Sequence, residues 1–397
     1  MAREHFDIFV SGGGLAGLIA ACSFAAKGLS VLCVDPTPPI TSNTDPKADR
    51  RSTAFLQPAR ATLQSANIWP RLDAYAEALQ IMRLADAGGI ENEIRYIADF
   101  DASDVSDHPF GWNFPNWVLK REILAQLNSL DNSTFRAGVG TKRVTPRGAE
   151  ALIALTDGAQ ISANLIIAAD GRNSAIREMA DIGVQTWRYG QKGMVFTVSH
   201  PIAHENVSTE IHRTGGPFTL VPLPDHDGSP QSAIVWMETG AEAARLMALT
   251  QSEFATQATT RSCGVLGPLA LTSERAIWPI ISQKADRITA ERTALIAEAA
   301  HVMPPIGAQG LNMSLADIQS LLDLIDEGHL LGSEPMLTAY ENARKSDIAL
   351  RIHGVDLLNR AALAAGPNLR ALRLKGLQFL HGSTMARKLA MRAGLGG

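Results

Sequence analysis

Three glycines near the start of the chain, Gly12, Gly14 and Gly17, stand in the order G-x-G-x-x-G. At that spacing the first permits a tight turn, the second lets backbone approach a pyrophosphate, and the third lets a helix pack closely on a strand. Asp35 follows about 20 residues on, where a carboxylate accepts from a ribose with a free 2′-hydroxyl. This is chemistry for holding a dinucleotide, and alone it does not separate NAD from FAD. The elements that must position it are readable on either side. FDIFVS and LSVLCVD are strand-like and GLAGLIAACSFAA is an apolar helix, so the spacing predicts a βαβ unit with the helix N-terminus facing phosphates.

The chain around this unit has 397 residues, 46% hydrophobic, 19% charged and 6% aromatic, which fits a globular protein with two or three domains' worth of core. A net charge of −4 gives no global basic field, so nucleic acid is not an expected partner. Cys22, Cys33 and Cys263 form no C-x-x-C pair, which favours a reducing compartment without structural disulfides. His200, His204 and His212 have no regular ligand spacing, so no metal is expected. No apolar run reaches the roughly 18 residues of a transmembrane helix. The apolar stretch from Gly14 to Ala26 follows Arg3, Glu4, Asp7 and a strand, and reads as mature structure rather than a secretion signal. A cytoplasmic location is expected, with any membrane contact at the inner face.

Thr37 to Arg51 reads as a long Pro- and Asp-rich loop, and Ser52 to Leu79 as helical. Ser133 to Ala169 reads as a meander with a turn at Asp157-Gly158. Four strand-like runs, MVFTVSH, NVSTEIHR, PFTLVPLP and SAIVWMET, predict a second, antiparallel sheet, with Val207, Thr209 and Ile211 on one face. Ala241 to Thr260 has helical spacing, Thr293 to Ile296 reads as a short buried strand, and the chain ends in helices broken near Pro367.

Further segments agree with the glycine motif: ADGRNSAIRE from Ala169 and AAHVMPPIGAQGLN from Ala299. Asp49, Arg51 and Ala54 form D-x-R-x-x-A, Trp187, Tyr189 and Gln191 form W-x-Y-x-Q, and Gly216 to Leu223 reads G-P-F-x-L-x-P-L. With these motifs the sequence resembles the single-component FAD-dependent aromatic hydroxylases, the group that includes para-hydroxybenzoate hydroxylase, and within it the ubiquinone-biosynthesis hydroxylases. The resemblance implies an α/β fold: a Rossmann-like FAD-binding domain (1–75, 100–180 and 278–335), an inserted antiparallel β-sheet substrate domain (76–99 and 181–277) and C-terminal helices (336–397). It implies FAD as cofactor, NAD(P)H and O2 as co-substrates, and hydroxylation of a lipid-like aromatic substrate, a polyprenylated phenol or benzoquinol. The single G-x-G-x-x-G fits a group with no second Rossmann site for the pyridine nucleotide.

Carried over position by position, the resemblance puts Gly12, Gly14, Leu15, Ala16 and Gly17 at the FAD pyrophosphate and Asp35 at the adenosine ribose. Arg51 then lies near the pyrophosphate and the nucleotide's route, Arg121 contacts FAD, and Asp170 helps bind both cofactors. Pro305, Gly307, Gly310, Leu311 and Asn312 would meet the isoalloxazine, where glycines before a helix expose N–H donors to the negative charge of a reduced flavin. The family has Gly-Asp before Ala-Ala-His, whereas this chain has Ala297-Glu298. Glu298 keeps a carboxylate for the ribityl chain, with one methylene more. Tyr189, Phe218, Val221 and Pro222 are candidates for substrate contact, with core packing the competing role for the aromatic ones. His301 is expected to be a packed, hydrogen-bonded residue, and no catalytic side chain is assigned.

Asn368 to Arg392 carries six Lys and Arg residues and no acid, with leucines at helical spacing, which reads as a membrane-surface or partner-binding segment, or as an ordinary terminal helix with a solvated face. Two other functions stay open at this point: a flavin-dependent reductase of isoprenoid lipids, and an assembly subunit of a quinone-biosynthesis complex that keeps a degenerate flavin site among protein partners.

Overall fold

The computed structural model describes residues 3–45, 47–49, 51–87, 93–363 and 366–395. Residues 46 and 50 of the expected 37–51 loop, 88–92 of the expected second domain, and 364–365 and 396–397 of the terminal region lie outside them. The first strand, Glu4–Ser11, runs parallel to Val31–Asp35 on one side and to Gln160–Ala168 on the other. These strands are near-continuous apolar runs because both faces of the sheet are covered. The helix Leu15–Ala26 between the first two strands is buried from Ala16 to Ala25, since it is apolar all round. Phe9, Leu18, Ile19 and Phe24 are fully buried, each contributing roughly 1.5–3 kcal/mol of transfer free energy. Ser133–Ala137 extends this sheet in parallel beside Val31–Asp35, so only Thr141–Pro146, Ala151–Leu155 and Gln160–Ala168 form the antiparallel part of the expected meander.

Among the described residues the second sheet has nine strands. The four expected runs are its centre, lengthened to Val184–Ser199, Val207–His212, Pro217–His226 and Ser229–Thr239. Four features differ from the sequence reading. Val207–His212 pairs in parallel with Ile81–Ala87, so the sheet is mixed. Its residues Ser208, Thr209, Glu210 and Ile211 are all buried, because both faces are covered. The strand Ala276–Ala285 pairs with Val184–Ser199 and crosses the boundary expected at 278, and Ile94–Asp101 crosses the one expected at 100. His301–Val302, from the stretch assigned to the cofactor domain, pairs with Gln283 and Lys284 of this second sheet. Local apolar pattern predicts a strand without saying which sheet it joins.

The helical reading of Ser52 to Leu79 is corrected. Ser52–Leu56 and Glu77–Leu79 are strands on either side of Gly111–Pro115, with the helices Gln57–Ser65 and Trp69–Leu72 between them. Proline in the first turn starts each helix afresh. The spacing from Ala241 to Thr260 resolves into Gly240–Met247 and Gln251–Arg261, divided where Thr250 and Glu253 form a capping box. The chain closes with Glu334–Leu363, Pro367–Gly382 and Thr384–Leu395, and Pro367 opens its helix as a first-turn proline.

Candidate functional site

The glycine turn is fixed by backbone contact. Gly12 has φ +112°, and a Cβ there would stand 2.3 Å from the Ala169 carbonyl oxygen. A Cβ on Gly17 would stand 1.9 Å from the Gly12 carbonyl oxygen. Gly14, the N-cap of Leu15–Ala26, is the opposite case, since a Cβ there would meet nothing within 4 Å. The helix has no side-chain cap and no acid in its first turn, so no capping side chain occupies the N–H groups at its positive dipole end. Asp35 accepts from Gly13 N at 2.6 Å and from Thr37 N at 2.7 Å, which holds its carboxylate beside the turn with lone pairs to spare. Asp170 accepts from Ile176 N at 3.1 Å through Oδ2, while its Oδ1 is buried without a partner. A buried carboxylate oxygen lacking a donor, one residue from the Gly12 contact, fits a site built around a group with hydroxyls.

A second helix start follows later in the chain. The loop through Pro305, Gly307 and Gly310 is exposed, Leu311 is half-buried, and Ala308 is the N-cap of Gln309–Asp326 with φ +56°. This helix also lacks a side-chain cap and a first-turn acid. Asn312 spends its side chain within the protein: Oδ1 accepts from Leu56 N at 2.9 Å, and Nδ2 donates to the carbonyls of Ala54 and Ala308 at 2.8 and 2.6 Å. It therefore ties the Ser52–Leu56 strand to the helix start. Ala297 takes φ +55°, the left-handed conformation that glycine adopts without penalty. Glu298 is exposed.

The brace behind this loop was not legible in the sequence. Asp317, fully buried, accepts from Ala297 N at 3.2 Å, lies 2.7 Å from His301 Nε2 and accepts from Arg344 Nε at 2.8 Å. Burial alone would raise the Asp317 carboxyl, but His301 and Arg344 together hold it below the usual carboxylate range. His301 is thus a packed, hydrogen-bonded residue. Asp49 was also missed as a partner. It binds the Arg51 guanidinium through both oxygens at 2.8 Å and accepts from Asn116 Nδ2 at 3.0 Å, so the D-x-R spacing is a clamp that aims Arg51 across Trp278 at 5.3 Å. The hydrogen bonds that Arg51 donates to Asp49 raise its pKa. Arg121 is stacked against Tyr75 and Trp117 and bonded to Glu122 at 2.7 Å, so a phosphate there would compete with Glu122.

The substrate-side candidates separate by sheet face. Met237, Ile280, Ile306 and Val355 cluster with Tyr189, Trp278 and Met303, joining the second sheet, the Pro305 loop and the helix Glu334–Leu363. Tyr189 borders this apolar wall with its hydroxyl 2.7 Å from Ser282 Oγ and 2.8 Å from Asp356 Oδ1; burial pushes its pKa up to about 12. Val221 lies on the same sheet face as Thr219 and Val235. Phe218 is a correction: it is fully buried on the other face, packed on Trp236 at 5.4 Å within the core that includes Phe254 of Gln251–Arg261. Pro222 shares Phe218's side by alternation, and its carbonyl accepts from Asn113 Nδ2 at 2.8 Å. The motif marked a strand, and the period of two placed half of its residues on the wrong face. Glu210, paired across the strands with Thr219, shares the face of the apolar wall and is hydrogen-bonded to His212 Nε2.

Among known proteins, the family model described as "FAD binding domain" matches residues 5–350. The ubiquinone hydroxylase UbiL of Rhodospirillum rubrum is 30% identical over 369 residues, covering 90% of this chain and 82% of that protein. The 3-demethoxyubiquinol 3-hydroxylase of Escherichia coli is 26% identical over the whole of both. The crystal structure of p-nitrophenol 4-monooxygenase PnpA from Pseudomonas putida DLL-E4 superposes with a TM-score of 0.80 at 17% identity, covering 100% of this chain and 99% of that one, and shares its fold. A match over residues 5–350, with a relative this similar across most of both chains, places the chain in the FAD-binding-domain family, as a flavoprotein aromatic hydroxylase close to those of ubiquinone biosynthesis.

Proposed function

We propose that this chain hydroxylates a lipid-like phenol or benzoquinol, a polyprenylated precursor of ubiquinone, using O2 and NAD(P)H. The observation that carries the reading is the pairing of an FAD-type cradle, at 12–17 with Asp35 and Asp170, with an uncapped helix start at Gln309 that adjoins an apolar wall of the second sheet. FAD, when bound, supplies the redox and oxygen-transfer chemistry. The balance is ArH + O2 + NAD(P)H + H⁺ giving ArOH + H2O + NAD(P)⁺.

Every other contribution comes from the chain. Backbone N–H groups at Gly14, Leu15, Ala16 and Gly17 would bind the pyrophosphate, Asp35 the ribose, and Asp170 Oδ1 a cofactor hydroxyl, while Gly12, whose N–H donates to the Val34 carbonyl at 2.8 Å, would shape the turn beneath them. The Asp49-held guanidinium of Arg51 would attract phosphate on the nucleotide's route. Free N–H groups at Gly310 and Leu311 would stabilise negative charge on the reduced ring, with Pro305 and Gly307 shaping the loop and Asn312 fixing it. Ile306, Met237, Ile280 and Val221 would exclude water from the ring. Glu210, 9% exposed beside His212, gives the same face a proton acceptor, and a deprotonated phenol is the electron-rich ring that hydroxylation needs.

The assembly-subunit reading drew on Ala297-Glu298, and the left-handed backbone at Ala297, which a glycine would also adopt, favours a working cleft instead. Incubating the FAD-loaded protein with NAD(P)H, ¹⁸O2 and a prenylated phenol tests the proposal. The expected result is one ¹⁸O per product molecule. Reduction of an isoprenoid double bond without O2 uptake, or binding of quinone-biosynthesis proteins with no electron transfer, would overturn it. Accumulation of an under-hydroxylated precursor in a deletion strain would name the ring position.

A further inference from the structure

The last two helices, Pro367–Gly382 and Thr384–Leu395, have two unlike faces. Their inner face is locked to the protein by specific polar contacts. Arg373, nearly buried, pairs with the buried Asp86 at 2.8 Å; His381 Nδ1 lies 2.9 Å from Tyr96 Oη; Arg387 pairs with Asp104 at 3.1 Å. Met391 is buried in a small core with Phe100 and Phe110, and Leu377 and Leu380 pack against it. This face rests on the side of the second sheet opposite the core under Gln251–Arg261, and Gly394 accepts from Gln309 Nε2 at the helix start of the Pro305 loop.

The outer face is apolar. Leu369, Leu372, Phe379, Met385 and Leu389 are 56% to 83% exposed, and Leu369, Leu372, Gly376 and Phe379 follow i, i+3, i+7 and i+10 along one stripe. The inner contacts fix which way that stripe points. The segment's own charge has one sign: from Leu357 to the end of the sequence there are seven Lys and Arg residues and no Asp or Glu, in a chain whose net charge is −4, and of the seven Arg360, Arg373 and Arg387 are paired to Asp356, Asp86 and Asp104.

We propose that this helix pair docks the protein on an anionic lipid bilayer, lying in the headgroup region with Leu369, Leu372, Phe379, Met385 and Leu389 inserted and Lys375, Lys388 and Arg392 among the headgroups. An exposed apolar stripe on a segment that carries bases and no acid of its own is complementary to such an interface. Docking sets the covering helices of the second sheet, and the adjoining Pro305 loop, against the bilayer, so a lipid substrate has a short path from membrane to flavin cleft. That last step rests on the proposed lipid substrate; the docking itself does not.

Flotation of the full-length FAD-loaded protein with phosphatidylcholine vesicles, pure or with about one third phosphatidylglycerol, tests it. The parent is expected to float with the anionic vesicles and to lose binding at high salt. Combining Leu372→Glu, Phe379→Glu and Leu389→Glu should cut bound protein roughly tenfold or more with FAD content and Tm unchanged, since these side chains support no core. Lys375→Gln with Lys388→Gln should weaken binding to anionic vesicles alone, and Leu330→Glu, exposed elsewhere, should float like the parent. Absence of flotation by the parent, or equal flotation of the triple variant, overturns the proposal. So does a parent dimer that the triple variant converts to monomer without change in flotation, because the stripe then binds a second copy. Turnover is not the readout, so failure here is distinct from failure of the hydroxylase proposal.

Discussion

The two helix starts proposed to grip FAD, at Leu15 and at Gln309, share their electrostatics and differ in what holds them. Both lack a side-chain cap and a first-turn acid. The first is held by backbone touching backbone, with Gly17 on Gly12 and Gly12 on Ala169. The second is held from behind by a buried ionic network, Asp317 with His301 and Arg344, and it tolerates alanine in the left-handed region at Ala297 and Ala308. Steric closure is indifferent to pH but forbids a side chain. Ionic bracing admits side chains and depends on protonation.

The largest effect should come from the ionic side. Asp317→Ala would leave Arg344 and His301 buried without their carboxylate, and a loss of about 3–5 kcal/mol in denaturant unfolding is expected. A loss below about 1 kcal/mol would mean that the network does not brace the loop. The pH dependence has a definite sign. The folded Asp317 carboxyl lies below its unfolded value of about 3.9, so its stabilisation is present above that pH and disappears as pH falls through the lower folded value. Asp317→Asn should therefore flatten the acid limb of the Tm curve below about pH 4. An unchanged acid limb would assign acid lability to other carboxylates.

On the steric side, Gly17→Ala should destabilise by about 1–3 kcal/mol and release FAD, because its Cβ meets a carbonyl oxygen that can move only with the turn. Calorimetry with flavin absorbance reads both. Smaller stability effects are expected at the second start. Ala297→Gly should stabilise by up to about 1 kcal/mol by relieving a left-handed alanine, and a loss instead would show that the methyl packs favourably. Glu298→Ala, at an exposed carboxylate, should leave stability unchanged and lower FAD affinity; unchanged affinity would remove Glu298 from the cofactor site.

The first start was readable from the residues themselves because its steric demands fall on glycines within six positions and on strands flanking them. The second was reached only through family resemblance. Gly310 has no close neighbour that requires glycine, Gly307 is set by its φ of +64° rather than by a contact, and the residues that brace the loop, His301, Asp317 and Arg344, meet through folding rather than through a local pattern. Asp49 lay in plain view two residues from Arg51, yet spacing alone does not reveal a bidentate clamp. Phe218 shows a different limit. A strand covered on both faces is apolar on both, so its sequence does not tell the face toward the cleft from the face toward the helices. The helical reading of Ser52 to Leu79 holds for Gln57–Ser65 and Trp69–Leu72 and failed at its two ends, because strand pairing with Gly111–Pro115 is a long-range contact.

Gly14 separates holding the fold from holding the cofactor. It has an ordinary φ of −67° and open space where a Cβ would stand, so Gly14→Ala should fold with the parent's apo-protein Tm. If the FAD pyrophosphate takes that open space, titration of the apo-protein with FAD should show Kd raised roughly tenfold or more, about 1.4 kcal/mol. FAD binding as tight as the parent's, in a variant equally stable, would contradict a pyrophosphate seated on this turn.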